Sequence, residues 1–232
     1  MKAVARFSLA ALALGLVAAP ASAQLSGLPV VYAPAGTGIT IGGMYGRGLN
    51  DDSGKLNSAG GMVTIGLPSF QVSAGASYYG FGGDFPIEKV SFGGNAGYKL
   101  PLPPSAPVTL MVVAGVGYVS PEGGSILTVP AGVTLGINVP GTTASITPWV
   151  SPQFRYTRQS PDVGESASES SFGVSGGLSV GLPVGVGIDL AVDWNRVPEN
   201  AFGGVNEALN QITIGAGLHY TIRTPGLGGG GM

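Results

Sequence analysis

The sequence has no cysteine. No disulfide framework holds the fold, and no thiolate is available for catalysis or metal binding. Charge is scarce as well: charged residues make up 9% of the chain, where water-soluble domains average about a quarter. With Lys2 and Arg6 set aside as leader residues, eight basic residues stand against twelve acidic ones, a net of −4. That balance argues against nucleic acid, whose binding needs a basic face. Long uninterrupted apolar runs are missing too. The stretch between Glu122 and Arg155 carries no charge, yet Pro130, Pro140, Pro148 and Pro152 interrupt it and would break a spanning helix repeatedly. What is abundant is apolar residues, 44%, and glycine, 42 residues. So much apolar surface with so little charge suggests contact with lipid. The structure other than a helix that satisfies every backbone group there is a closed barrel.

Lys2 and Arg6 precede an apolar run from Phe7 to Ala19 and the small-x-small sequence Ala21-Ser22-Ala23. The run would reach about 20 Å as a helix, short of a hydrocarbon core of about 30 Å. Residues 1–23 therefore read as a cleaved signal peptide. Residues 24–35 read as a periplasmic N-terminal segment, 36–223 as one barrel domain, and 224–232 as a Gly-rich disordered tail.

Within the domain the period is two. Ile212, Ile214, Ala216, Leu218, Tyr220 and Ile222 form one face, and Gln211, Thr213, Gly215, Gly217, His219 and Thr221 the other. Ten such segments lie near 38–48, 58–67, 70–80, 89–100, 108–119, 126–139, 144–157, 171–182, 185–195 and 209–222, each long enough to cross a bilayer at a tilt. Connections after the even segments carry no charge, whereas those after the odd segments hold ten of the twelve acids. A soluble sandwich also alternates, but it would put charge on its outward faces, and here the non-apolar face is mostly Gly, Ser and Thr. The apolar face also sorts its aromatics. Tyr45, Tyr78, Phe92, Tyr118, Phe154, Tyr156, Phe172 and Trp194 fall toward the acidic-loop end, and Phe70, Tyr98 and Tyr220 toward the short-turn end. Two girdles around an aliphatic band are what a bilayer selects. The fold expected is an all-β, closed, antiparallel, up-and-down transmembrane barrel of about ten strands, with eight as the alternative. Pro130, Pro148 and Pro152 sit inside strands of a sheet without an edge, so bulges there, or a stretch projecting beyond the membrane, are expected.

This pattern resembles the small bacterial outer-membrane barrels of the OmpA/OmpX sort over nearly all of the mature chain. Thr213, Gly215, Leu218 and Tyr220 resemble the terminal-strand signal by which such proteins are recognised for assembly. The tail Thr224 to Met232 departs from the family, which usually ends on a strand aromatic. The resemblance implies export to the Gram-negative outer membrane, short turns and termini in the periplasm, and acidic loops outside. Implied partners are the barrel-assembly machinery, outer-membrane lipid and lipopolysaccharide.

No cofactor or metal is implied, and nothing marks an enzyme. His219, the one histidine, lies at the short-turn side, and a lone inward histidine is more often a packing or hydrogen-bonding residue than a catalyst. Asp189 and Asp193 are four apart on one strand and share its inward face. Carboxylates inside a barrel pair with inward basic residues, here Lys99, Arg155 or Arg223, because burial alone is costly. The loop acids Asp51, Asp52, Asp162, Glu165 and Glu169 read first as solvated charge. The sharper alternative is a Ca²⁺ or Mg²⁺ site bridging to lipopolysaccharide. Ten strands lined by small residues leave room inside, which Met44, Tyr79, Met111 and Trp149 fill only in part. The expected role is structural or passive passage of small solutes through a narrow hydrated lumen, with residues 24 to 35 as a candidate occluder. A surface-binding barrel acting through its acidic loops is the alternative, and an outer-membrane lipid hydrolase comes third.

Overall fold

A computed structural model describes residues 25, 27–50, 57–80, 88–103, 106–120, 123–199 and 207–223. The predicted leader and tail, and Asp51 and Asp52, lie outside the described residues. Ten strands form in chain order: β1 (Gly38–Gly48), β2 (Asn57–Gly66), β3 (Phe70–Gly80), β4 (Glu88–Lys99), β5 (Val108–Val119), β6 (Gly124–Ile137), β7 (Ser145–Pro161), β8 (Ala167–Gly181), β9 (Val186–Val197) and β10 (Leu209–Ile222). Each pairs antiparallel with its sequence neighbours, and β10 closes on β1, so ten strands hold and not eight.

The register sets the tilt. Ile39 pairs with Ile65, and the row continues through Val72, Ala96, Ala114, Ala131, Phe154, Phe172, Arg196 and Asn210. Asn210 lies three positions past the Gly48–Thr213 pair, so the row returns to β1 twelve residues above its start. Ten strands with that shear tilt by about 40° and enclose a cylinder of about 10 Å backbone radius. Short turns close one end. In the β2–β3 turn Leu67 N donates to Phe70 O at 2.7 Å, and in the β8–β9 turn Leu182 N donates to Val186 O at 2.8 Å, with Gly185 at φ 91°.

Alternate residues meet different surroundings, as the period requires. Outward Ile188, Leu190, Val192, Ile214 and Leu218 are exposed, and inward Met111, Val113, Ser151 and Ser175 are buried. The outward aromatics pair edge to face along the girdles, with ring centroids 5.5 Å apart for Phe154 and Phe172 and 5.3 Å for Phe70 and Tyr98.

The prolines behave differently from the bulges expected. Pro130 and Pro152 leave the ladders unpaired at Gly115 and Val116 on one side and at Val133 and Thr134 on the other, but the register resumes unshifted beyond each gap. Each proline lacks a donor toward one neighbour only, and stays paired on its other side, Pro130 with Arg155 and Pro152 with Val174. Pro148 lies where the β6–β7 ladder has already ended at Gly136–Trp149. β7 and β8 also run further toward the acidic end than the alternation indicated. Arg158 and Ser168 pair as strand residues, and the connection shrinks to 162–166.

Candidate functional site: the lumen

The barrel's inside is occupied. Residues 27–36 run through it from the loop end to the turn end, within the segment expected as a periplasmic stretch and a candidate occluder of the lumen. At Gly27, φ 75°, the chain reverses beside Ser58 and Tyr79, with Leu28 N donating to Leu25 O at 3.0 Å. From there Leu28, Val30 and Tyr32 are buried, Tyr32 with 0% exposure. Val30 and Tyr32 form one apolar cluster with Met111, Val113, Trp149 and Ala191 of the wall. Below the cluster the Gln71 amide holds the segment at two points, accepting from Ala35 N at 2.8 Å and donating to Ala33 O at 3.3 Å. Lys99 Nζ donates to Ala35 O at 2.6 Å and to Leu67 O at 3.1 Å, tying the segment to the β2–β3 turn.

Glycine on the inward face makes this possible. A Cβ on Gly136 would stand 2.7 Å from Pro34 Cγ, and one on Gly215 would stand 2.7 Å from Pro29 Cγ. Side chains at these places would occupy the segment's path.

The sequence-predicted inward charges divide into separate sites. Arg155 Nη2 meets Asp193 Oδ1 at 2.5 Å, both almost fully buried. The same oxygen accepts from Ser175 Oγ at 2.5 Å, and Gln153 Nε2 donates to Ser175 Oγ at 2.6 Å. Asp189 pairs with His219 and not with Lys99, Arg155 or Arg223: Nδ1 and Oδ2 are 2.7 Å apart. On the ring's other side Nε2 faces the backbone at Gly187. Arg223 is exposed at the turn-end mouth. There Asp189, His219 and Arg223 line the cavity left below the segment, about 300 Å³, with the hydroxyls of Thr40, Thr64, Ser73, Thr147, Ser179 and Thr221. Among the described residues no group of three or more metal-ligating side chains gathers, so Asp162, Glu165 and Glu169 do not form a cluster.

The sequence missed the His219–Asp189 contact. Parity places both inward, but only the register, with Gly217 opposite Asp189 and His219 opposite Gly187, makes them diagonal neighbours.

No family model matches the sequence, and no curated protein matches it. Solved structures do. The β domain of the Bordetella autotransporter BrkA aligns with 81% of this chain and 100% of its own at 9% identity, with a TM-score of 0.51. Neisserial surface protein A aligns over 79% of this chain and 96% of its own, at 12% identity and a TM-score of 0.38. A bacterial polysaccharide outer membrane secretin aligns over 80% of this chain at 9% identity and a TM-score of 0.44; the chain spans 66% of that protein's length. The fold is that of bacterial outer-membrane β-barrels. In this barrel the lumen's filling is built from residues 27–36 and the glycines that face them.

Proposed function

We propose that this barrel sits in the outer membrane with its acidic loops outward, and that it is a passive conduit for small solutes whose lumen is closed at rest by its own N-terminal segment. One observation carries the reading: Tyr32 and Val30 pack against Met111, Val113 and Trp149 across the lumen. A purely structural barrel has no need of a separable filling. A filling held by one apolar cluster and by the side chains of Gln71 and Lys99 can leave without breaking any strand pairing. The cavity at the turn end supports the same reading, since hydroxyls and charged groups there give a solute a hydrated approach.

The reading includes no catalysis. His219 is held by Asp189, which supports a hydrogen-bonding role for it in the wall. The test is conductance in planar bilayers with the mature protein and with a form lacking residues 25–35. The intact protein is expected to be closed or to open rarely, and the shortened one to conduct steadily. Absence of channel events from both, with both well folded, overturns the conduit.

A further inference from the structure

The outer wall carries a trough across β8, β9, β10 and β1. Two adjacent outward rows build it. One runs Gly176, Val192, Ile214, Arg47, each paired with the next, and the other runs Leu178, Leu190, Ala216, Tyr45. Gly176 and Ala216 are small where their neighbours are branched, and the depression between the ridges is about 570 Å³ in volume. Its lining is apolar except at one end, where Arg47 stands. Because the rows climb toward the loops from β8 to β1, that end is the one nearer the loops.

Arg47 is an unusual residue for this surface. Among strand residues whose side chains are described, three charged ones take the outward face: Arg47, Arg158 and Arg196. All are arginine, all are exposed, and all stand on the loop-end side of the aliphatic band, beside Tyr45, Tyr156 and Trp194 respectively. Arg47 makes no hydrogen bond or ion pair among the described residues. A guanidinium stays charged at any pH a membrane meets, and its planar fork matches phosphate oxygens two at a time. At headgroup depth its natural complement is an anion carried by a lipid.

We infer that the trough binds one molecule of lipid A, with a phosphate on Arg47 and an acyl chain laid along Gly176, Ala216 and Leu190. The inference rests on the outward orientation of the acidic loops proposed above, which puts Arg47 in the lipopolysaccharide leaflet. It locates the lipid contact on outward arginines, without a metal bridge through the loop acids.

Native mass spectrometry of the full mature protein, refolded in detergent free of lipid, tests it. The probes are diphosphoryl lipid A, dephosphorylated lipid A and phosphatidylglycerol. The proteins are the wild type, Arg47→Gln and Ala216→Trp, the last placing an indole in the trough. Expected is one diphosphoryl lipid A retained per wild-type barrel, at least ten-fold weaker retention by both variants, and similar weakness of wild type for the dephosphorylated probe. Equal retention by all three proteins overturns the site. So does phosphatidylglycerol binding as tightly as lipid A, or a trough that instead pairs two copies of the chain. Heat-dependent gel mobility of each sample separates the two readings: a compact barrel that ignores lipid A sinks the trough alone, whereas a chain that never forms a compact band sinks the barrel reading with it.

Discussion

Arg155 Nη2 donates to Asp193 Oδ1 at 2.5 Å across the full width of β8, between strands that share no ladder. The pair is a cross-brace inside the cylinder, and Tyr32 of the lumen segment lies within electrostatic reach of both partners. Removing one partner leaves a buried charge unmatched. Asp193→Asn is expected to cost about 3–5 kcal/mol, read as a lowered midpoint in urea titration of the folded band. The double variant Arg155→Met with Asp193→Leu is expected to recover most of that loss. A double variant no better than Asp193→Asn would show that the brace contributes by something other than charge matching.

Gly136 offers a cleaner way to move the lumen segment. The atoms nearest its missing Cβ are side chain, first Pro34 of the segment and then Thr147 of the neighbouring strand, so a larger residue pushes on the segment before it strains the wall. Gly136→Val is expected to leave the barrel's heat midpoint within about 1 kcal/mol of wild type. It is also expected to make a thiol at position 30, introduced as Val30→Cys, react with a maleimide several-fold faster. Unchanged reactivity would mean that the segment accommodates the methyls in place.

The wall was legible in the sequence because its signal is local. The alternation of Ile212, Ile214 and Ala216 with Thr213 and Gly215 fixes faces, and uncharged turns such as Leu67 to Phe70 fix ends, with no knowledge of neighbours. The lumen was less legible because its contacts depend on register. Asp193 finds Arg155 from 38 positions away and Asp189 finds His219 from 30, and a shift of two residues in any ladder would preserve the pattern while exchanging the partners. The segment 27–36 was legible as a candidate occluder but not in its contacts, for a related reason. Pro29 and Pro34 remove the donors a wall strand would use, so it scores as a connector, although Leu28, Val30 and Tyr32 alternate. The inward glycines opposite it were the available clue, since a small residue facing in implies something else that fills the space. Arg47 falls inside the segment expected near 38–48, but only its pairing with Ile214 sets it in an outward row with Val192 and Gly176.

Pro152 points out from β7 and interrupts pairing with β6 while remaining in register with Val174 of β8. Since the register carries through the gap, restoring a donor should restore a ladder hydrogen bond and nothing else. Pro152→Val is expected to stabilise the barrel by about 0.5–1.5 kcal/mol, seen as a higher temperature for loss of the compact band. A fall in that temperature would mean that the gap relieves strain in the strand as it passes the girdle.

Tyr32 separates filling from gating. Its ring packs with Trp149 and Met111, so Tyr32→Ala should weaken the segment's hold by about 3 kcal/mol, which raises the segment-free population on the order of a hundred-fold. Bilayer conductance should then rise from rare openings to frequent ones, while the urea midpoint of the wall moves less than it does for Asp193→Asn, because no strand loses a neighbour. Trp149→Ala removes the opposing surface from the wall side and should raise opening comparably. If Tyr32→Ala lowers the midpoint of the whole barrel and leaves conductance unchanged, the segment is a structural core that never leaves the lumen. Opening on Tyr32→Ala with the wall intact would mark it as the closing element of a channel.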